Sequence, residues 1–229
     1  MSSAEYCGGR LFISGGFGLP CGQIACLYGI IWTEVNFMMS NKQEIYFDNS
    51  ATTRVLPEVA ELARCLMCEE YGNPSALYGR GLAAEKLLVQ ARERIAKTLQ
   101  ASPKEIIFTS GGTEADNLAL RGVMQAGRHG GRHMIVSAVE HPAILRTAEA
   151  LQEQGYELDI LPVDKCCRVQ PEALARLLRP DTRLVSVMLV NNEVGTVQPI
   201  AELKNTIRQA GSGALLHVDA VQAYGKIAC

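Results

Sequence analysis

The stretch from Leu184 to Val190 reads LVSVMLV, seven residues with one hydroxyl and no polar–apolar alternation. A strand with one wet face alternates, so a run without alternation is a strand buried on both faces. Parallel sheets sandwiched between helices provide that environment. Extended to Arg183–Val190, this run is one of five β-type segments, with Glu105–Thr109, His133–Ser137, Glu157–Pro162 and Ala214–Val218. Helical spacing fills the intervals at Thr113–Gln125, Pro142–Glu153, Pro171–Leu178 and Ile200–Gln209. Strand–helix repetition with connections this short predicts an α/β fold of three layers, α/β/α, around a mostly parallel central sheet. Upstream, the sequence predicts a short strand at Ile45–Phe47 and a helix at Pro57–Glu70 with an apolar stripe of Val59, Leu62, Ala63, Leu66 and Met67. A second, amphipathic helix follows at Leu82–Leu99.

Composition narrows the function classes. A formal net charge of -2 over 229 residues gives no basic stripe for nucleic acid or a membrane surface. No apolar run reaches spanning length. The eight cysteines are irregularly spaced and include no paired CxxC units, so no metal site is expected. Cys65 and Cys68 sit mid-helix, which favours buried thiols over a redox pair, and reduced thiols suit a cytoplasmic protein. Residues 1–38 are rich in Gly and Cys and poor in charge, without the charged start and continuous apolar core of a signal peptide. Ordered patterning begins after Met39, so residues 1–38 are expected to be an extension outside the fold and 39–229 the folded part.

In a parallel α/β sheet ligands gather at the carboxyl ends of the strands, and that rule selects the residues to weigh. After the first run comes Ser110-Gly111-Gly112-Thr113, a glycine turn opening a helix whose free N–H groups favour an anion. A plain helix capped by Thr113 accounts for the same residues. His141 stands before Pro142, where its imidazole is placed either to stack on a flat ring or simply to cap the next helix. Asn191-Asn192-Glu193-Val194-Gly195 leaves the most apolar strand, and turn chemistry explains only part of that set. Asp219 ends the last strand, with Gln222 three residues on. A buried aspartate there calls for a positive partner, or serves as a helix cap. Together these residues offer what pyridoxal phosphate needs: an anion cradle, a ring to stack on, amide donors and an acid for the pyridinium nitrogen.

The segments IYFDNSATTRVLPEV, YGNPSALYGRG, IIFTSGGTEADNLAL, VEHPAIL, VNNEVGTVQPI and LLHVDAVQAYGK occur in an order that resembles the cysteine desulfurases. These belong to the class V aminotransferase group of fold-type-I pyridoxal-phosphate enzymes. The resemblance runs from about Glu44 onward and implies the large domain of that fold. It implies that Gly112 and Thr113 bind the phosphate and that His141 stacks on the ring and assists proton transfer. It further implies that Asn192 and Gln222 contact the phenolic oxygen or its surroundings, and that Asp219 pairs with the ring nitrogen. Asn73 falls in a loop that approaches the site in such enzymes. Tyr78 departs from the family, where many members carry histidine.

The implied activity converts L-cysteine to L-alanine and passes a persulfide to a sulfur-acceptor protein for iron–sulfur or thio-cofactor assembly. A homodimer is implied as well. The family's cofactor-bearing lysine and sulfur-accepting cysteine belong to segments not matched here. Lys226 and Cys229 do not replace them, so this stretch is expected to be inactive by itself. A selenocysteine lyase, another aminotransferase of the class, or a non-catalytic cofactor-binding module remain alternatives.

Overall fold

The computed structural model describes residues 4–7, 10–13, 45–126 and 131–227. The chain divides into two compact units, Met1–Phe47 and Asp48–Cys229. In the first, β1 (Ala4–Cys7) and β2 (Arg10–Ile13) pair as an antiparallel hairpin. Otherwise the extension expected over residues 1–38 lies outside the described residues.

The second unit opens with α1 (Pro57–Cys68) and α2 (Gly79–Thr98). The alternating part then runs α3 (Gly112–Gln125), β3 (His133–Ser137), α4 (Pro142–Glu153), β4 (Glu157–Leu161), α5 (Pro171–Leu177), β5 (Thr182–Ser186), α6 (Ile200–Gln209) and β6 (Leu215–His217). Proline occupies the first turn of α1, α4 and α5. There its missing N–H costs nothing and its fixed φ suits a helix start.

The four strands form one parallel sheet in the order β4-β3-β5-β6. Alternation sorts its two faces. Met134, Val136 and Leu184 pack with Leu120 and Met124 of α3 and Ile144, Ala148 and Leu151 of α4. Ile135, Val185 and Val187 pack on the other side with Ala173 and Leu174 of α5 and Leu203 and Ile207 of α6. Helices on both faces explain why the run from Leu184 carries no alternation, and they give the expected three layers. The chain leaves β3 to one side for β4 and returns to the other for β5. The order therefore reverses between β3 and β5, and such a reversal opens a crevice beyond the strand ends.

Some expectations need correction. No strand forms at Ile45–Phe47 or over Glu105–Thr109; Pro103–Glu105 is a 3-10 turn, and Ile107 is 70% exposed. A strand exists only as part of a ladder, and no described strand lies beside either run. Arg92 instead bonds the Ile106 carbonyl and lies over the Phe108 ring at 4.7 Å. The strand expected at Arg183–Val190 stops at Ser186, although Val187 and Leu189 still donate to the carbonyls of His217 and Asp219. The apolar stripe of α1 is not core: no residue of that helix is buried, and Met67 is 71% exposed. Cys65 is half-buried and Cys68 exposed, not the buried thiols expected. No helix among the described residues is long and apolar enough to cross a membrane.

At the amino ends of the strands a polar network ties the sheet together. The Arg179 N–H donates to Thr182 Oγ1 at 2.8 Å, and the threonine hydroxyl meets fully buried His133 Nδ1 at 2.8 Å. His133 Nε2–H then donates to Asp159 Oδ2 at 3.1 Å, and Arg179 closes the loop on Asp159 and Glu157. Burial, with the Arg179 guanidinium alongside, holds His133 below its ordinary value of 6.5. The unfolded chain thus binds this proton first, and acid erodes what the ring contributes. His133→Gln should be destabilised at pH 7 by about 1–3 kcal/mol. In denaturant titrations its gap to the wild type should narrow as pH falls from 7 to 5.

Candidate active site

A cleft of 220 Å³ opens at the carboxyl ends of the strands, on the face covered by α3. Gly112, Thr113, His141, Asn192, Asp219 and Gln222 all line it, so the structure brings these six together. Ser50, Asp116, Met188, Val190 and Val221 complete the wall. Asn73 is absent from it: its side chain accepts the Ser75 N–H within its own loop at 2.9 Å. Tyr78 precedes α2, is exposed, and is also outside the cleft.

The mouth of α3 is one end of the cleft. Gly111, not Thr113, is the N-cap, and no side chain caps the first turn. Orphan N–H groups and the helix dipole therefore face the opening. Gly112 has a steric reason: a Cβ there would stand 3.0 Å from Val221 Cγ2. Glu114 folds back onto Ser110, accepting from its N–H at 2.6 Å and its hydroxyl at 2.5 Å. That contact holds the Glu114 carboxyl below its usual value and keeps the turn closed.

His141 is the N-cap of α4, and its Nδ1 accepts the Ala143 N–H at 3.1 Å. Capping and ring placement are thus one arrangement, because the cap fixes the imidazole against the cleft. In the loop after β5, Asn191 does the structural work. Its Nδ2 donates to the Val139 carbonyl at 3.0 Å, while its Oδ1 accepts from the Glu193 and Val194 N–H groups at 2.9 Å. Gly195, at φ 72°, closes the turn where a side chain would be strained. Asn192 is thereby free to face the cleft.

Asp219 is 8% exposed, and its Oδ1 accepts the Val221 N–H at 2.9 Å, a turn contact in place of the expected helix cap. Gln222 is held at both ends of its amide. Nε2 donates to the Ser50 carbonyl at 3.3 Å, and Oε1 accepts from Lys226 Nζ at 2.7 Å. Among the described residues no lysine or arginine lines the cleft.

Two acids that sequence reasoning passed over complete the picture. Glu140, 5% exposed, sends one oxygen to the Ser137 hydroxyl at 2.9 Å and to the Met188 N–H, joining the ends of β3 and β5 across the crevice. Its other oxygen has no hydrogen-bond partner among the described residues. Burial raises its carboxyl from an ordinary 4.5 to about 7 against the pull of those two donors. Asp116, one turn inside α3, lies 3.6 Å from His217 Nε2, and His217 Nδ1 meets Ser186 Oγ at 3.0 Å. Burial and the nearby Asp219 raise Asp116 from 3.8 to about 6, while burial depresses His217. The sequence signal was the spacing Thr113-x-x-Asp116, which puts both side chains on one helix face.

The donor set suits an anion at one end of the cleft and a cationic ring nitrogen at the other, with a flat imidazole and amides between. The family model for aminotransferase class V matches residues 45–229. The chain belongs to the class V aminotransferase family. Among curated relatives, the cysteine desulfurase IscS of Methanosarcina thermophila is 44% identical over 192 residues, covering 84% of this chain and 47% of that protein. A solved NifS-like protein superposes with a TM-score of 0.79 at 41% identity, over 81% of this chain and 51% of its own. SspA in complex with cysteine gives a TM-score of 0.76 at 34% identity, over 81% and 53%. This chain therefore spans about half the length of the class V relatives it matches. The likeness also establishes the fold as that of the fold-type-I enzymes.

The raised Glu140 carboxyl has a measurable consequence. Its folded value lies above its unfolded one, so the folded state holds the proton more tightly and stability falls as pH rises from about 4.5 through about 7. Glu140→Gln keeps the acceptor oxygen and removes the titration. Between pH 5 and pH 8 the stability difference, variant minus wild type, should move in favour of the variant by up to about 3 kcal/mol. Chemical denaturation at both pH values reads that change.

Proposed function

We propose that this chain forms the cofactor-binding part of a pyridoxal-phosphate-dependent cysteine desulfurase. Such an enzyme converts L-cysteine to L-alanine and hands the sulfur on as a persulfide. The observation that carries the reading is Asp219, a buried carboxylate at the end of β6, in one cleft with the open mouth of α3. The names of the relatives supply the substrate class. Residues 39–229 would be an incomplete large domain, with residues 1–38 an extension to it. We also place the enzyme in the cytoplasm as a homodimer serving a sulfur-acceptor protein.

When bound, pyridoxal phosphate supplies an electron-withdrawing ring that stabilises negative charge developing on the substrate. The rest is the work of this chain's own residues. Gly112 and Thr113 would present backbone N–H groups, and Thr113 its hydroxyl, to the phosphate. Asp219, oriented by the Val221 N–H, would hold the proton on the ring nitrogen. His141, with Nδ1 engaged by Ala143, would present its ring face for stacking and its Nε2 for proton transfer. Gln222, its amide fixed by Ser50 and Lys226, would use the remaining N–H for the phenolic oxygen, with Asn192 alongside. Met188, Val190 and Val221 supply apolar wall that keeps water from the ring.

Because no lysine lines the cleft, pyridoxal phosphate should bind this chain reversibly and be lost on dialysis. Titration followed by absorbance should show saturable binding that Asp219→Asn weakens at least about tenfold, the scale of one charge-assisted hydrogen bond. Thermal unfolding of that variant should stay close to the wild type. Borohydride reduction should leave no stoichiometric pyridoxyl group on Lys226, whose ammonium is engaged by Gln222. Equal binding by the Asn variant would remove the role given to Asp219. A stoichiometric adduct on Lys226, together with alanine formation, would make Lys226 the catalytic lysine.

A further inference from the structure

We propose that Asp116 is a working part of the anion cradle, its carboxyl taking up a proton as an oxyanion settles on the mouth of α3. The inference rests on the reading that this mouth receives the cofactor's phosphate. Asp116 lines the same cleft as Gly112 and Thr113, at 5% exposure. It is the one cleft-lining acid whose carboxyl has no donor within hydrogen-bonding distance among the described residues. Asp219 is held by the Val221 N–H, and Glu140, just behind the wall, by Ser137 and Met188. His217 Nε2 stands 3.6 Å from Asp116 Oδ1.

The charge balance favours the coupling. A phosphate brings about -1.5 to -2 charges at neutral pH, whereas a helix mouth offers only about half a positive charge. Among the described residues no guanidinium or ammonium lines this cleft; Arg121 and Arg146 line the neighbouring pocket, which shares Thr113 and His141 with it. Asp116 faces Asp219 and His217 from β6 and the turn beyond it, and Glu140 and His141 from the loop after β3; on its own helix Glu114 is turned away onto Ser110. Of these, Asp219 is already held by the Val221 N–H, on the side read as serving the cationic ring. Burial and the Asp219 charge already weaken the hold of Asp116 on its negative charge, and an incoming anion adds to the same push. Neutral Asp116 then ceases to repel the anion and becomes an O–H donor in reach of the cleft.

Inorganic sulfate is the probe, because it is doubly charged across this range and does not itself titrate. Calorimetry in two buffers of different ionisation enthalpy counts protons taken up per sulfate bound. The wild type should take up a substantial fraction of a proton at pH 7 and lose about fivefold or more in sulfate affinity from pH 6 to pH 8. Asp116→Asn should bind sulfate more tightly than wild type at pH 8, with a clearly smaller uptake and flatter profile; the residual slope belongs to Glu140. Asp116→Glu should restore the slope. Matching profiles and uptake in wild type and Asp116→Asn would overturn the proposal while leaving the cradle intact. Failure of wild type to bind either sulfate or pyridoxal phosphate would overturn the cradle and this proposal together. Should the Asn variant not fold, the carboxyl carbon of Asp116 in carbon-13-labelled wild type gives the same answer by NMR. An apparent value that does not rise on adding sulfate sinks the idea.

Discussion

One buried carboxylate holds the two halves of the site in register. Glu140 reaches from the end of β3 to the N–H of Met188 beyond β5, across the crevice where strand order reverses. Beyond the β3–β5 ladder, which ends at Ser186, this bridge and Asn191, which bonds back to Val139, tie the β3 side of the cleft to the β5 side. Leaving one oxygen of the bridge without a partner costs stability, and that cost is one reason the carboxyl resists ionisation.

What the sequence disclosed and what it hid divide along a physical line. The bounds of β3, α4 and α6 were legible because their signals are local: an apolar run, a proline at the first turn, a 3.6-residue stripe. The failure at Glu105–Thr109 has the opposite character. Those residues have strand composition, but a strand is defined by a neighbour, and composition says nothing about who the neighbour is. The stripe on α1 misled in the same way, since amphipathicity states that a face wants burial and not that it has it.

Among the residues around the cleft, those with special chemistry were legible in the sequence, and those marked out by burial were not. Asp219 and His141 stand out because an acid at a strand end and a histidine before proline are unusual. Glu140 and Asp116 look like ordinary helix-end acids until the packing shows them 95% removed from water. Even within one loop, the two asparagines were separable only in three dimensions, one as brace and one as lining.

The contact between Gly112 and Val221 carries a last consequence. A Cβ on Gly112 would stand 3.0 Å from Val221 Cγ2, so helix mouth and post-β6 turn leave no room for a side chain between them. On the proposed reading, close packing there would limit how far the anion end and the Asp219 end can approach, and ligands would be sorted by the distance between an anionic group and a cationic ring atom.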